Sequence, residues 1–180
     1  MEQIKRIGRT LKYKGIVLEF YEDKMLLPDG RTADWDFTHH KGAAGCVAVL
    51  DDGRLLMTRQ FRNPLDGDSL EIPAGGVNFA TEDPMIGAAR ELEEETGYKP
   101  HKMDELMTIY TSIALSDEQI AIYLARDLEK TSQHLDEDEF LQVEAWSLED
   151  LLDEIRKGGI RDSKTISAVY GYKDFLERNK

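Results

Sequence analysis

Cysteine is nearly missing from this chain of 180 residues: Cys46 stands alone. No disulfide can close within the chain, and a reducing, cytoplasmic setting is the expectation. Cys46 lies in the apolar run AAGCVAVL, where a small core side chain suits it better than the part of a nucleophile. Long apolar runs are missing too. None approaches the roughly 20 residues of a membrane helix, and the opening MEQIKRIGRT lacks the apolar stretch of a secretory signal, so no membrane partner is expected. Positive charge is the other shortage, since 23 Lys and Arg face 36 Asp and Glu for a net charge of −13. That balance argues against holding DNA or RNA by neutralising phosphates. A phosphorylated small ligand would have to be received through bound cations and a few placed arginines. Histidine and cysteine show no metal-ligand spacing: His39-His40, His101 and His134 read as structural or surface residues, and no zinc site is offered.

What is present supports a folded α+β domain. The hydrophobic fraction of 41% suffices for a core. In the first forty residues GIVLEF, DKMLL and TADWDF read as short strands, with Asp29-Gly30 as a turn. A small sheet of this kind cannot bury a core of its own, so residues 1–40 are expected to pack on the main domain or on a second copy of the chain. The main domain, residues 41–180, begins with strand candidates CVAVL and RLLMTRQF around Asp52-Gly53, and SLEIPAGG leads from a strand into a glycine turn. ELMTIYTSI, QIAIYLARDL and DEFLQVEAWSL are further strands, LEDLLDEIRKGG is an amphipathic helix closed by glycines, and a last helix runs from about Ser163 toward Arg178. Strands mixed with a few helices, without regular βαβ alternation, predict layered α+β architecture.

Between them lies GAARELEEETGY, residues 87–98. Asp83 as N-cap, Pro84 in the first turn and Gly97 at the left-handed C-terminal position predict a helix over Pro84–Thr96. At about 100° per residue Met85, Ala88, Ala89 and Leu92 form an apolar stripe, and Glu91, Glu94 and Glu95 a neighbouring acidic one. Acids near the C-terminal end oppose the helix dipole at about 0.3 to 1 kcal/mol each. The like-charge pair Glu91/Glu95 costs a further 0.2 to 0.5 kcal/mol or so. A divalent cation between the carboxylates would remove both penalties.

Reading back from the helix end, the chain has Gly76, five residues, Glu82, seven residues, Arg90-Glu91-Leu92, one residue, Glu94-Glu95, one residue, and Gly97-Tyr98. This resembles the Nudix box, the signature of hydrolases that cut nucleoside diphosphates linked to a second group; every fixed position is filled, with Tyr98 where an aliphatic residue is more usual. The resemblance implies the Nudix fold, an α/β/α sandwich around a mixed sheet. It makes Glu91, Glu94 and Glu95 the metal-binding carboxylates, with Glu91 and Glu95 the direct ligands and Glu94 and Arg90 completing the catalytic group. Arg90 would orient the carboxylates through charge-assisted bonds, with Glu82 as a supporting partner. Oxygen donors favour Mg²⁺, with Mn²⁺ as a substitute. A backbone carbonyl from the turn before the box also belongs to the set, and in Pro73-Ala74-Gly75-Gly76 either Gly75 or Ala74 can supply it. A general base is expected on a loop after the box, where the run Asp136-Glu137-Asp138-Glu139 offers Glu139 first and Glu137 second.

LLPDGR, RQFRNP, EIPAG, YTSIALSDE and IRDSKT extend the resemblance to the ADP-ribose pyrophosphatase group over most of the chain. That group implies a homodimer whose N-terminal strands exchange, and a nucleoside diphosphate sugar as substrate: ADP-ribose, cleaved to AMP and ribose 5-phosphate. Arg59 and Arg62 are candidates for phosphate binding or structural ion pairs, Trp35 and Phe37 for stacking on a base or for packing, and Glu118 for substrate binding. One departure is that Ser112-Ile113-Ala114 stands where the group commonly has Ser-Pro-Gly. It admits hydrolases of other nucleotide sugars, such as GDP-mannose, as the alternative. A nucleotide-sensing module without catalysis is the reading from another class, but its mark would be a lost box carboxylate, and none is lost.

Overall fold

The computed structural model describes residues 3–180, which form ten strands and three helices of the α type. The chain divides into two compact units, one made of the chain up to Lys41 together with Tyr110–Gln119, the other of Gly42–Ile109 and Ile120–Lys180. The sequence boundary after residue 40 did not anticipate that the segment 110–119 joins the first unit.

The first unit is an antiparallel sheet of β1 (Lys5–Lys14), β2 (Leu18–Leu26) and β3 (Thr32–His40) in that order. GIVLEF and DKMLL, read as two strands, run together as β2, because the pairing with β3 continues without a break from Leu18 to Leu26. β1 was not foreseen: KRIGRTLKYK carries too many charges for a strand signal, and each of its ten residues is exposed. From β1 the Arg9 guanidinium reaches 3.9 Å above the Phe37 ring of β3 and pairs with Asp23 of β2 at 2.6 Å. The 110–119 segment is held to β3 by Thr38 N–H on the Leu115 carbonyl at 2.8 Å and by His39 Nδ1 with Asp117 at 2.7 Å.

The second unit is built on a mixed sheet. Its main path is β10 (Leu141–Trp146), β5 (Leu55–Arg62), β4 (Ala43–Val49), β9 (Gln119–Lys130) and β8 (Tyr98–Tyr110), with β6 (Gly67–Glu71) on β5 and β7 (Ala74–Gly76) on β4. β4 and β9 run parallel; the other registered pairs are antiparallel. Alternation along the strands divides the core by side-chain size. Ala44, Cys46, Ala48, Ala121 and Ala125 turn small side chains to the face that carries Ala88 and Leu92 of α1 (Pro84–Thr96). Val47, Leu55, Met57, Ile122 and Leu124 face α2 (Leu148–Lys157) and α3 (Ser163–Arg178) through Leu151, Ala168 and Val169. Small residues let α1 sit close to the sheet, and the larger ones fill the opposite layer. The result is the expected α+β sandwich, helices on both faces of a mixed sheet.

Cys46 is fully buried, its thiol donating to the Ala88 carbonyl at 3.4 Å, and burial raises its pKa far above the ordinary range. It is core.

Candidate active site

The helix that carries the acids forms where its caps require. Asp83 accepts from Met85 N–H at 2.9 Å, Pro84 opens the first turn, and Gly97 closes α1 with φ 70°, a conformation that suits glycine. The facial reading needs two corrections. Met85 is exposed instead of lying in the apolar stripe, and Glu95 is only 2% exposed, so the acidic stripe runs into the interior. What draws Glu95 inward is the turn between β6 and β7: its carboxylate accepts Ala74 N–H at 3.1 Å. β7 holds that turn in place by pairing Ala43, Ala44 and Gly45 of β4 with Gly76, Gly75 and Ala74.

Glu91 approaches the same strand from the helix. A Cβ placed on Gly75 would lie 2.1 Å from the Glu91 carboxyl carbon, so any larger residue there would push this carboxylate out of its position. Arg90 Nη1 stands 2.8 Å from Glu91 and 2.8 Å from Glu94, and its Nε 3.4 Å from Glu82, as the orienting part requires. Arg90, Glu91, Glu94 and Glu95 line a cleft of about 450 Å³ with Gly75, Ala74, Gln60, Arg62, His134, Asp136 and Glu139; Glu82 does not line it. The loop that brings in Glu139 is tied to the end of α1. Gln133 Nε2 donates to the Glu95 carbonyl at 2.6 Å, His134 N–H to Glu94 at 2.9 Å and Thr131 N–H to Gly97 at 2.7 Å. The loop thereby satisfies carbonyls that the last turn leaves unpaired.

The electrostatics show a site short of positive charge. The Glu95 carboxyl is pushed up to about 8, by burial first and then by Glu139 and Glu91. Burial also raises Glu91, against the pull of Arg90, and raises Glu139. Five carboxylates, Glu91, Glu94, Glu95, Asp136 and Glu139, line the cleft, the oxygen chemistry of a hard divalent ion. Among the described residues, no three His, Cys, Asp or Glu side chains already stand together as a metal cage. Glu91 and Glu94 are turned to Arg90, and Glu95 to Ala74 N–H. The donor set fits a divalent ion in kind, and the glycine cradle leaves room for Glu91.

Other candidates fall elsewhere. Glu137 is exposed on the loop and does not line the cleft. Arg59 forms an ion pair with Glu144 on β10, Nε to carboxylate 2.5 Å, and lines a second cavity of about 430 Å³ with Phe61 and Phe140. Arg62 does line the carboxylate cleft, with its Nε and Nη2 on Glu71 at 2.8 and 2.6 Å. Trp35, Phe37 and Glu118 belong to the first unit; Glu118 accepts from Thr111 Oγ1. Gln60, His134 and Asp136 were not chosen from the sequence. Gln60 sits inside RQFRNP between the two arginines, which is the one signal that pointed to it.

A strand-held glycine turn, a helix of carboxylates clamped by one arginine, and a loop glutamate above them define the class. The family model described as NUDIX domain matches residues 39–168, and the chain belongs to the Nudix family of hydrolases. It is 37% identical over 167 residues to the ADP-ribose pyrophosphatase of Bacillus subtilis (strain 168), covering 92% of this chain and 90% of that protein. It is 38% identical over 159 residues to the methanol dehydrogenase activator of Bacillus methanolicus, covering 87% and 85%. A crystal structure of an ADP compounds hydrolase matches with a TM-score of 0.87 over 99% of this chain and 97% of that one; at 18% identity this is a likeness of fold.

Proposed function

We propose that this Nudix enzyme hydrolyses the diphosphate of ADP-ribose to AMP and ribose 5-phosphate with Mg²⁺, or Mn²⁺ in its place. The observation that carries the reading is Glu95, a buried carboxylate pushed up to about 8 beside Glu91 and Glu139, in a cleft where Glu94 and Asp136 add further carboxylates. Glu91, Glu94 and Glu95, with the Gly75 or Ala74 carbonyl, would hold the ion, which supplies charge to the phosphate oxygens and acidifies a water. Glu139 is placed to accept a proton from the attacking water as its oxygen adds to phosphorus, and the diphosphate bridge breaks to release one phosphate on each product. Its carboxyl, raised by burial, is better matched to this task than an exposed one. Arg62 binds a phosphate oxygen and Arg90 keeps the carboxylates oriented. Arg59 is assigned to the rest of the substrate. The similarity to an ADP-ribose pyrophosphatase over most of both chains supports the choice of sugar.

Glu139→Gln is expected to lower kcat by about a hundredfold or more while KM moves by less than about threefold, as loss of a general base requires. An unchanged kcat places the base elsewhere. A panel of ADP-ribose, GDP-mannose and a nucleoside triphosphate, compared by kcat/KM, tests the substrate. A higher value for GDP-mannose than for ADP-ribose would keep the chemistry and replace the sugar.

A further inference from the structure

The motif IRDSKT has no part in the chemistry above, yet its side chains reach toward it. Asp162 caps α3, its carboxylate accepting Thr165 N–H at 3.0 Å and Thr165 Oγ1 at 2.6 Å. Thr165 Oγ1 in turn accepts Ile72 N–H at 2.9 Å, which fastens the helix start to the residue after β6. Between them Lys164 is buried, with Nζ 2.5 Å from Glu71 and 3.0 Å from Asp162. Glu71, itself 3% exposed, is the carboxylate that grips Arg62 by Nε and Nη2. Four charged side chains thus run unbroken from the first turn of α3 to the wall of the carboxylate cleft.

Helix stability does not account for Lys164. A cation in the first turn opposes the helix dipole, and burying an ammonium is costly unless its partners are well placed. Its partner Glu71 explains it better. Arg62 supplies one donor to each Glu71 oxygen, and Lys164 adds a second donor to Oε2, so the buried carboxylate is held from two sides and not by the guanidinium alone. With Lys164 on Oε2, Glu71 offers Arg62 a fixed two-point seat that commits Nε and Nη2, and the guanidinium is held there at the wall of the cleft.

We propose that Lys164 is a positioning residue: acting through Glu71, it fixes the Arg62 guanidinium in the geometry that meets a substrate phosphate. The inference rests on the reading of Arg62 as a phosphate contact, and a double-mutant cycle separates the two. ADP-ribose turnover with Mg²⁺ is measured for the full chain and for Arg62→Ala, Lys164→Gln and the double variant, with thermal unfolding of each.

Arg62→Ala is expected to raise KM by about tenfold or more, the scale of a charge-assisted hydrogen bond. Lys164→Gln should raise KM by about fivefold with kcat within about twofold, and should add less than about twofold to KM once Arg62 is gone. Lys164→Arg, which returns a cation to Glu71, should recover most of the KM. Effects of Lys164→Gln and Arg62→Ala that multiply would overturn the positioning role alone, because Lys164 would then act independently of Arg62. An unchanged KM in Arg62→Ala would overturn the phosphate contact and the positioning role together. Should Lys164→Gln fail to fold, Lys164→Met, which also removes the cation from Glu71, carries the test within the same cycle against Arg62→Ala: a KM rise that disappears on the Arg62→Ala background supports the relay, and one that persists, or an unchanged KM, overturns it.

Discussion

Glu95 is the residue on which the electrostatics of the cleft converge. Ala74 N–H and the charge of Lys164 favour its ionised form, but burial and the neighbouring Glu139 and Glu91 prevail and raise its carboxyl to about 8. Glu95→Gln replaces a buried carboxyl that is costly to ionise beside Glu91 and Glu139 with a neutral amide while keeping an oxygen for Ala74 N–H. The metal-free variant is therefore expected to unfold at the same temperature as the parent or slightly higher, and its ADP-ribose turnover to fall by about a hundredfold or more. Retained turnover would remove Glu95 from the ligand set. The identity of these residues was legible in the spacing from Gly76 to Tyr98, yet their environment was not. A helical wheel places Glu95 beside the apolar stripe without showing that a turn more than twenty positions upstream folds over it. The partners of Arg59 and Arg62 were equally hidden, because Glu144 and Glu71 meet them only through strand and side-chain packing.

At the scale of elements, local signals were the legible ones. Asp83, Pro84 and Gly97 placed α1 residue by residue, and the glycines after Lys157 marked the end of α2, whereas its N-cap Ser147 was read into the preceding strand. β1 was missed because its apolar residues are interleaved with lysines and arginines, and its partner β2 lies beyond a turn that the sequence marks weakly. β6 and β7 were read as one stretch; the chain breaks between them at Ile72-Pro73, where Thr165 of α3 takes the Ile72 N–H. The link between β6 and α3 gives a pH prediction. Burial would raise Glu71, but Arg62 and Lys164 outweigh it and hold the carboxyl at about 2, below its ordinary 4.5. A depressed carboxyl contributes stability that is complete above about pH 4.5 and drains as pH falls toward about 2. The stability difference between the parent and Glu71→Gln, measured by urea unfolding, should be largest above pH 4.5 and shrink below it. A difference that stays constant across that window would contradict the assignment.

At the scale of the whole molecule, a β1 exposed along its full length argues for a second copy of the chain. Ile7, Leu11 and Tyr13 are each about half or more exposed. We infer a homodimer joined through the first unit, as edge strands of this kind require covering. Sedimentation should give a dimer mass, and Leu11→Lys should shift the equilibrium toward monomer; a parent chain that sediments as a monomer at every concentration would refute it. The net charge of −13 belongs to the same scale. An acidic chain receives a diphosphate through a cation, and that dependence is the core of the functional reading. The most direct test is AMP release from ADP-ribose by the purified parent chain, followed with Mg²⁺, after EDTA, and after Mg²⁺ is restored. The account predicts AMP and ribose 5-phosphate with Mg²⁺, loss of both with EDTA and their return on restoration. AMP formed at the same rate in EDTA, or tight binding of ADP-ribose without cleavage at any Mg²⁺ concentration, would contradict it.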